Sequence, residues 1–158
     1  MSFESARAWL AEHAPDLRLI DHSRSTATVL EAAEVLGVEP ARIAKTLALR
    51  VDDAIFLVLA RGDARIDNAK TKAEFGGRPR MLSADEAFEV TGHRVGGVCP
   101  FGLVTPVPVY CDVSLKGFDT VFPAAGSLTS SVEVAPDRLA ALVSRRWVDI
   151  CKLAEPAP

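Results

Sequence analysis

The hydrophobic positions of this chain change period several times along its length, and each change marks an element. Apolar residues recur at helical spacing from Phe3 to His13, and the pattern stops before Pro15. A second helix is expected through Leu36, with Ser25 or Thr26 as its cap and Gly37 at its end. The period then falls to two. Across Ile43 to Val51, the residues Ile43, Lys45, Leu47, Leu49 and Val51 share one face of a strand, and Ala44, Thr46, Ala48 and Arg50 share the other. Asp52-Asp53 supplies a turn, and Ala54 to Ala60 is apolar on both faces, as a covered central strand must be. Asp67 to Phe75 reads as a helix closed by Gly76-Gly77, and Ser83-Ala84-Asp85-Glu86 is a capping box opening a helix that ends at Gly92. Strands dominate after that: Val107 to Asp112, placed at an edge by Pro106 and Pro108, then Phe118 to Phe122 and Ser131 to Val134. Pro136 starts a helix to about Ser144, and Trp147 to Cys151 is the last strand. Helices and strands interspersed without strict alternation predict one α/β domain with a mixed sheet, over residues 1–152, followed by a short flexible tail at 153–158.

Two features break this pattern. Lys45 points with apolar residues, so its amine either reaches outward from near a strand end or is held inward by an anionic or carbonyl partner. The segment Gly96-Gly97-Val98-Cys99-Pro100-Phe101-Gly102 holds three glycines and a proline, which specifies a backbone shape more than a set of side chains. Such a loop is either a tight turn or a site that works through main-chain groups.

Ile43-Ala44-Lys45-Thr46-Leu47, the Gly96 to Gly102 loop with its G-x-x-x-P spacing, and the later Gly126-Ser127 pair together resemble the YbaK/ProX family. That family comprises free-standing relatives of the editing domain inserted in some prolyl-tRNA synthetases, and the likeness runs from about Ser2 to Lys152. It implies a barrel-like sheet wrapped by helices and a hydrolase that cleaves the ester of a mischarged aminoacyl-tRNA in trans. By the same resemblance, Thr46 and Gly126-Ser127 line an aminoacyl pocket, and Ser25-Thr26-Ala27-Thr28 closes it.

Composition limits the alternatives. A net charge of −3 offers no general attraction to phosphates, although residues 42–80 carry nine Lys/Arg against five Asp/Glu. Arg42, Arg65, Lys70 and Lys72, with Arg50, Arg61, Arg78 and Arg80, could form a basic tRNA-binding rim around Lys45, or a solvated mixed surface. Cys99, Cys111 and Cys151 are too few and too widely spaced for a disulfide framework or a zinc pair, and His13, His22 and His93 have no metal-ligand spacing. Neither metal nor cofactor is expected. No apolar run is long enough to span a membrane, and Glu4 and Glu12 stand where a signal peptide would be basic and apolar, so a cytoplasmic protein is expected.

Ser127 lies outside any G-x-S-x-G elbow, and Cys99 has no evident histidine partner, so a covalent nucleophile lacks its context. What remains is water attack on an already activated ester, with main-chain groups of Gly96 and Gly97, and of the loop through Phe101, facing the oxyanion and the water. Lys45 would anchor the ester end of the substrate or the terminal phosphate. A pocket bordered by Thr28, Thr46, Val98, Cys99 and Ser127, with Pro100, Phe101 and Gly102 also expected to bind substrate, suits Ala, Ser, Thr or Cys, with tRNA-Pro the expected carrier and prolyl-tRNA synthetase a candidate partner. A histidine associated with alanine editing near Gly126-Ser127 is absent, which argues against strict alanine specificity. The competing readings are a non-catalytic tRNA- or nucleotide-binding regulatory module and a thiol-dependent protein acting through Cys99.

Overall fold

A nine-residue strand of period two, a two-residue turn and eight further residues make the hairpin around which the chain is organised. The computed structural model describes residues 2–153. Its helices are α1 (Ser2–His13), α2 (Val29–Leu36), α3 (Asn68–Phe75), α4 (Ala84–Thr91) and α5 (Pro136–Val143). Its strands are β1 (Leu19–Asp21), β2 (Ile43–Val51), β3 (Ala54–Arg61), β4 (Ala64–Ile66), β5 (Arg80–Met81), β6 (Val109–Asp112), β7 (Phe122–Pro123), β8 (Ser130–Val132), β9 (Trp147–Val148) and β10 (Cys151–Leu153). The six-stranded sheet runs β5-β2-β3-β6-β9, with β7 also beside β2. It is mixed: β2 pairs antiparallel with β3 and β5, whereas β2–β7, β3–β6 and β6–β9 are parallel. β1–β8 and β4–β10 form separate two-stranded antiparallel pairs, and among the described residues the strands do not close into a barrel.

β3 is central and covered on both faces. Leu57 and Leu59 enter a core shared with Ala6 and Leu10 of α1, Leu139 of α5, and Cys99 and Phe101 of the glycine loop. Phe56, Val58 and Ala60 enter a second core with Val148 and Ile150, closed by Phe75 of α3 stacked on Phe56. Burying residues of both parities is what makes this strand apolar throughout.

Local chemistry accounts for most element ends. Ser83 and Glu86 form the reciprocal capping box of α4, Asp67 caps α3, and Gly37, Gly76 and Gly92 end α2, α3 and α4 at positive φ. Four expectations are corrected. The cap of α2 is Thr28, whose hydroxyl accepts from Glu31 N–H, because Thr26 spends its own N–H and hydroxyl on the Leu128 carbonyl. β6 is interior rather than an edge: the ladder begins at Val109, so the N–H groups missing at Pro106 and Pro108 precede it, and Pro108 still accepts from Leu57. The Phe118–Phe122 strand shrinks to β7 flanked by single bridges at Val121 and Ala124, since a short 3-10 turn at Val113–Leu115 and Gly117 at φ 106° redirect the chain. The last strand is two strands in different sheets, broken where the Ile150 N–H turns aside to the Asp112 carboxylate. Of the expected tail, residues 154–158 lie outside the described residues.

Candidate active site

One wall of a cavity of about 260 Å³ is the strand β2, which contributes Lys45 and Thr46. Thr26 and Thr28 close it on the α2 side, Gly96 and Val98 come from the glycine loop, and Ser130 and Ser131 from β8. Alanines at 32, 44, 48 and 124 leave the space open, and the lining is mainly apolar.

Lys45 is half-buried, and of its two possible settings the structure has the inward one: Nζ donates to the Ala64 carbonyl. Burial holds its pKa below the ordinary lysine value, opposed by the nearby Cys151 and Asp63. Beside it the Thr46 Oγ1 is buried without any hydrogen-bond partner. An unpaired buried hydroxyl is costly, and this one stands in a residue of the cavity wall.

The loop turns over the cavity at Val95 to Gly97. Gly96 has φ +96°, and a Cβ there would lie 2.6 Å from Leu128 and 3.0 Å from Ala27, so this turn requires glycine. Gly97 donates its N–H to the Arg94 carbonyl, and the space of its missing Cβ is filled at 3.0 Å by the backbone of Ser127. Its N–H is therefore committed to the turn. The N–H groups of Gly96 and Val98 have no hydrogen-bond partner among the described residues.

The remaining loop residues face away from the cavity. Cys99 and Phe101 are fully buried in the main core, where Phe101 meets Trp9 at 5.5 Å, and Gly102 at φ +64° packs against the backbone of Ser5 and Ala6 in α1. Pro100 is buried with them. These four anchor the loop and do not line the cavity. Cys99 also has the histidine partner that sequence reasoning did not find. His93, itself fully buried, donates from Nε2 to the Phe101 carbonyl at 2.7 Å and lies 3.5 Å from Cys99 Sγ. Burial keeps the imidazole neutral by lowering its pKa, and pushes the thiol up to about 12. The pair clamps the loop to the core.

Ser25 is exposed and accepts from the Ala27 N–H, and Gly126 and Ser127 lie one layer behind the lining. Ser127 Oγ bonds Ser130 Oγ at 2.6 Å, which places Ser130 at the surface of the cavity instead. Ser130 and Ser131 were missed because hydroxyls in a three-residue strand carry no periodic signal. Of the expected tRNA-binding residues, Arg42 is held by Thr120 and Glu133 and Lys70 by Asp149 and the Cys151 carbonyl, while Arg65 and Lys72 are exposed.

A family model for the aminoacyl-tRNA editing domain matches residues 23–142, which span both walls of the cavity. The chain belongs to the aminoacyl-tRNA editing domain family. It is thus a hydrolase, an aminoacyl-tRNA deacylase. The editing domain is 47% identical to the uncharacterised protein YwhH of Bacillus subtilis over 96% of this chain and 98% of that protein. It is 30% identical to a proline–tRNA ligase of Bacillus pumilus over 66% of this chain, which spans 19% of the ligase. A crystal structure described as a candidate trans-editing enzyme for prolyl tRNA synthetase superposes with a TM-score of 0.87 at 31% identity, covering 96% of this chain and 97% of that one. Among the described residues, no helix is long and apolar enough to cross a membrane.

Proposed function

We propose that the editing domain removes a small amino acid, Ala, Ser, Thr or Cys, from mischarged tRNA-Pro in trans, by water attack supported by main-chain groups. The observation that carries this reading is one cavity of about 260 Å³ lined by Lys45, Thr46, Gly96 and Val98, with the Thr46 hydroxyl unpartnered and the Gly96 and Val98 N–H groups without a hydrogen-bond partner among the described residues. At ~30 Å³ per water, such a space suits an aminoacyl group and an attacking water. The apolar, alanine-rich walls favour a short side chain.

Water adds to the ester carbonyl, giving a tetrahedral oxyanion faced by the Gly96 and Val98 N–H groups. The bond from that carbon to the ribose oxygen then breaks, and the proton released by water ends on the ribose oxygen, leaving free amino acid and deacylated tRNA. Lys45, whose amine rests on the Ala64 carbonyl in the free protein, would hold the negative end of the substrate. No thiol step is needed. The likeness to proline–tRNA ligases and to a structure described for prolyl tRNA synthetase supports tRNA-Pro as carrier, that synthetase as a partner in delivery, and a cytoplasmic setting. Exposed Arg65, Lys72, Arg78 and Arg80 are rim cations available to tRNA phosphates.

The deciding experiment is a deacylation panel of tRNA-Pro, tRNA-Thr and tRNA-Cys charged with Ala, Ser, Thr, Cys and Pro. Release of small amino acids from tRNA-Pro, with prolyl-tRNA spared, is the expected result. Failure to release any small amino acid, with or without prolyl-tRNA synthetase present, would leave a binding module in place of the enzyme.

A further inference from the structure

His22 plays no part in the scheme above, yet it is tied to the cavity wall. It follows β1 directly, and its N–H donates to the Thr129 carbonyl at 2.8 Å, extending the β1–β8 ladder by one residue. Because Ile20 pairs with Ser131, His22 and Ser131 stand diagonally on one face of this ladder, a spacing that long side chains bridge. They are bridged here: His22 Nε2 lies 2.6 Å from Ser131 Oγ. The next residue, Ser23, sits at φ 55° with its N–H on the Asp21 carboxylate, so the chain leaves the ladder sharply and the imidazole is fixed from its backbone outward. Ser131 is 3% exposed and faces the cavity; His22 does not line it.

We infer that Ser131 is a substrate-contacting residue of the editing site and that His22 is its positioning residue. The inference rests on the assignment of the cavity as the aminoacyl site. A hydroxyl has one proton to give and lone pairs to receive. With Ser131 donating to Nε2, the lone pairs of Oγ are left toward the cavity, where they accept from the ammonium group of the bound aminoacyl ester. Every aminoacyl substrate carries that group whatever its side chain. The contact therefore distinguishes an aminoacyl ester from its N-blocked counterpart, while the apolar walls and Thr46 read the side chain.

The test uses the full chain, with alanyl- and N-acetyl-alanyl-tRNA-Pro as probes, and melts every variant alongside. Ser131→Ala should lose about ten- to a hundredfold in kcat/KM on alanyl-tRNA, the range for a hydrogen bond to a charged group, and little on the acetylated ester. His22→Ala should lose a comparable amount, His22→Gln should recover most of it by keeping an acceptor near the Nε2 position, and the His22→Ala/Ser131→Ala double variant should be no worse than Ser131→Ala. Additive losses, equal losses on both esters, or no recovery in His22→Gln would overturn the positioning role. Lys45→Ala run in parallel separates the two levels. Its inactivity beside a fully active Ser131→Ala refutes the inference but leaves the site, whereas full activity of both refutes the site itself.

Discussion

Replacing Thr46 with valine exchanges a hydroxyl for a methyl of nearly the same shape on a β-branched strand position, so the backbone of β2 has no reason to move. The Thr46 Oγ1 is buried and unpartnered in the free protein. Leaving such a group without a partner costs about 1–3 kcal/mol, and Thr46→Val should return part of that to the fold. For a chain of 158 residues, each kcal/mol raises the melting temperature by roughly 2–4 °C, so a gain of a few degrees is expected. Activity should move the other way. If the hydroxyl bonds the aminoacyl group, its loss costs about 0.5–1.5 kcal/mol for a neutral partner, or about two- to tenfold in kcat/KM. The loss should be larger for seryl- and threonyl-tRNA, whose hydroxyls can pair with Thr46, than for alanyl-tRNA. Thermal melts and single-turnover deacylation of the three esters provide the check. A lower melting temperature, or unchanged kcat/KM on all three, would show that the hydroxyl is not waiting for substrate.

Lys45→Ala should lower deacylation by about a hundredfold or more, as loss of a positioned charge in a dry site does, and Lys45→Arg should rescue little because a planar guanidinium cannot take the place of Nζ at the Ala64 carbonyl. Burial lowers the folded-state pKa of Lys45 below 10.5, so the unfolded chain binds the proton more tightly. The stability difference between wild type and Lys45→Met should therefore move in favour of wild type as pH rises from the folded pKa toward 10.5, and urea melts at several alkaline pH values check the sign. Cys99→Ser should keep most activity, and iodoacetamide should act slowly, since the thiol is fully buried and its pKa is pushed up to about 12; rapid, complete inactivation that spares Cys99→Ala would restore a thiol mechanism. Gly96→Ala forces a side chain to φ +96° against Leu128, and Gly97→Ala presses on the Ser127 backbone, so both should lose about 1–3 kcal/mol of stability and lose turnover out of proportion to it, Gly96→Ala the more because Gly96 lines the cavity.

Much of this molecule is local chemistry, and that part was legible in the residue order. The period-two run Ile43–Val51, the doubly apolar run Ala54 to Ala60, the capping box at Ser83-Glu86 and the glycines that end α2, α3 and α4 all depend on neighbours within a few residues. The placement of Lys45 among apolar residues and the special shape of the glycine loop belong to the same class. Strand order and side-chain direction outside the long strands do not. Prolines near Val109 suggested an edge, but whether β6 is flanked depends on β9 arriving from residues 147–148, a long-range event. The glycine loop shows its glycines locally, yet only packing against α1 decides that Cys99 and Phe101 turn into the core while Gly96 and Val98 face the cavity. His22 and Ser131 are 109 positions apart, and no pattern along the chain connects them until β1 and β8 pair. Periodicity and capping act over one or two turns, so a single sequence displays them. A cavity is the space left where distant segments pack against one another, and its walls exist only once the whole chain has closed around them.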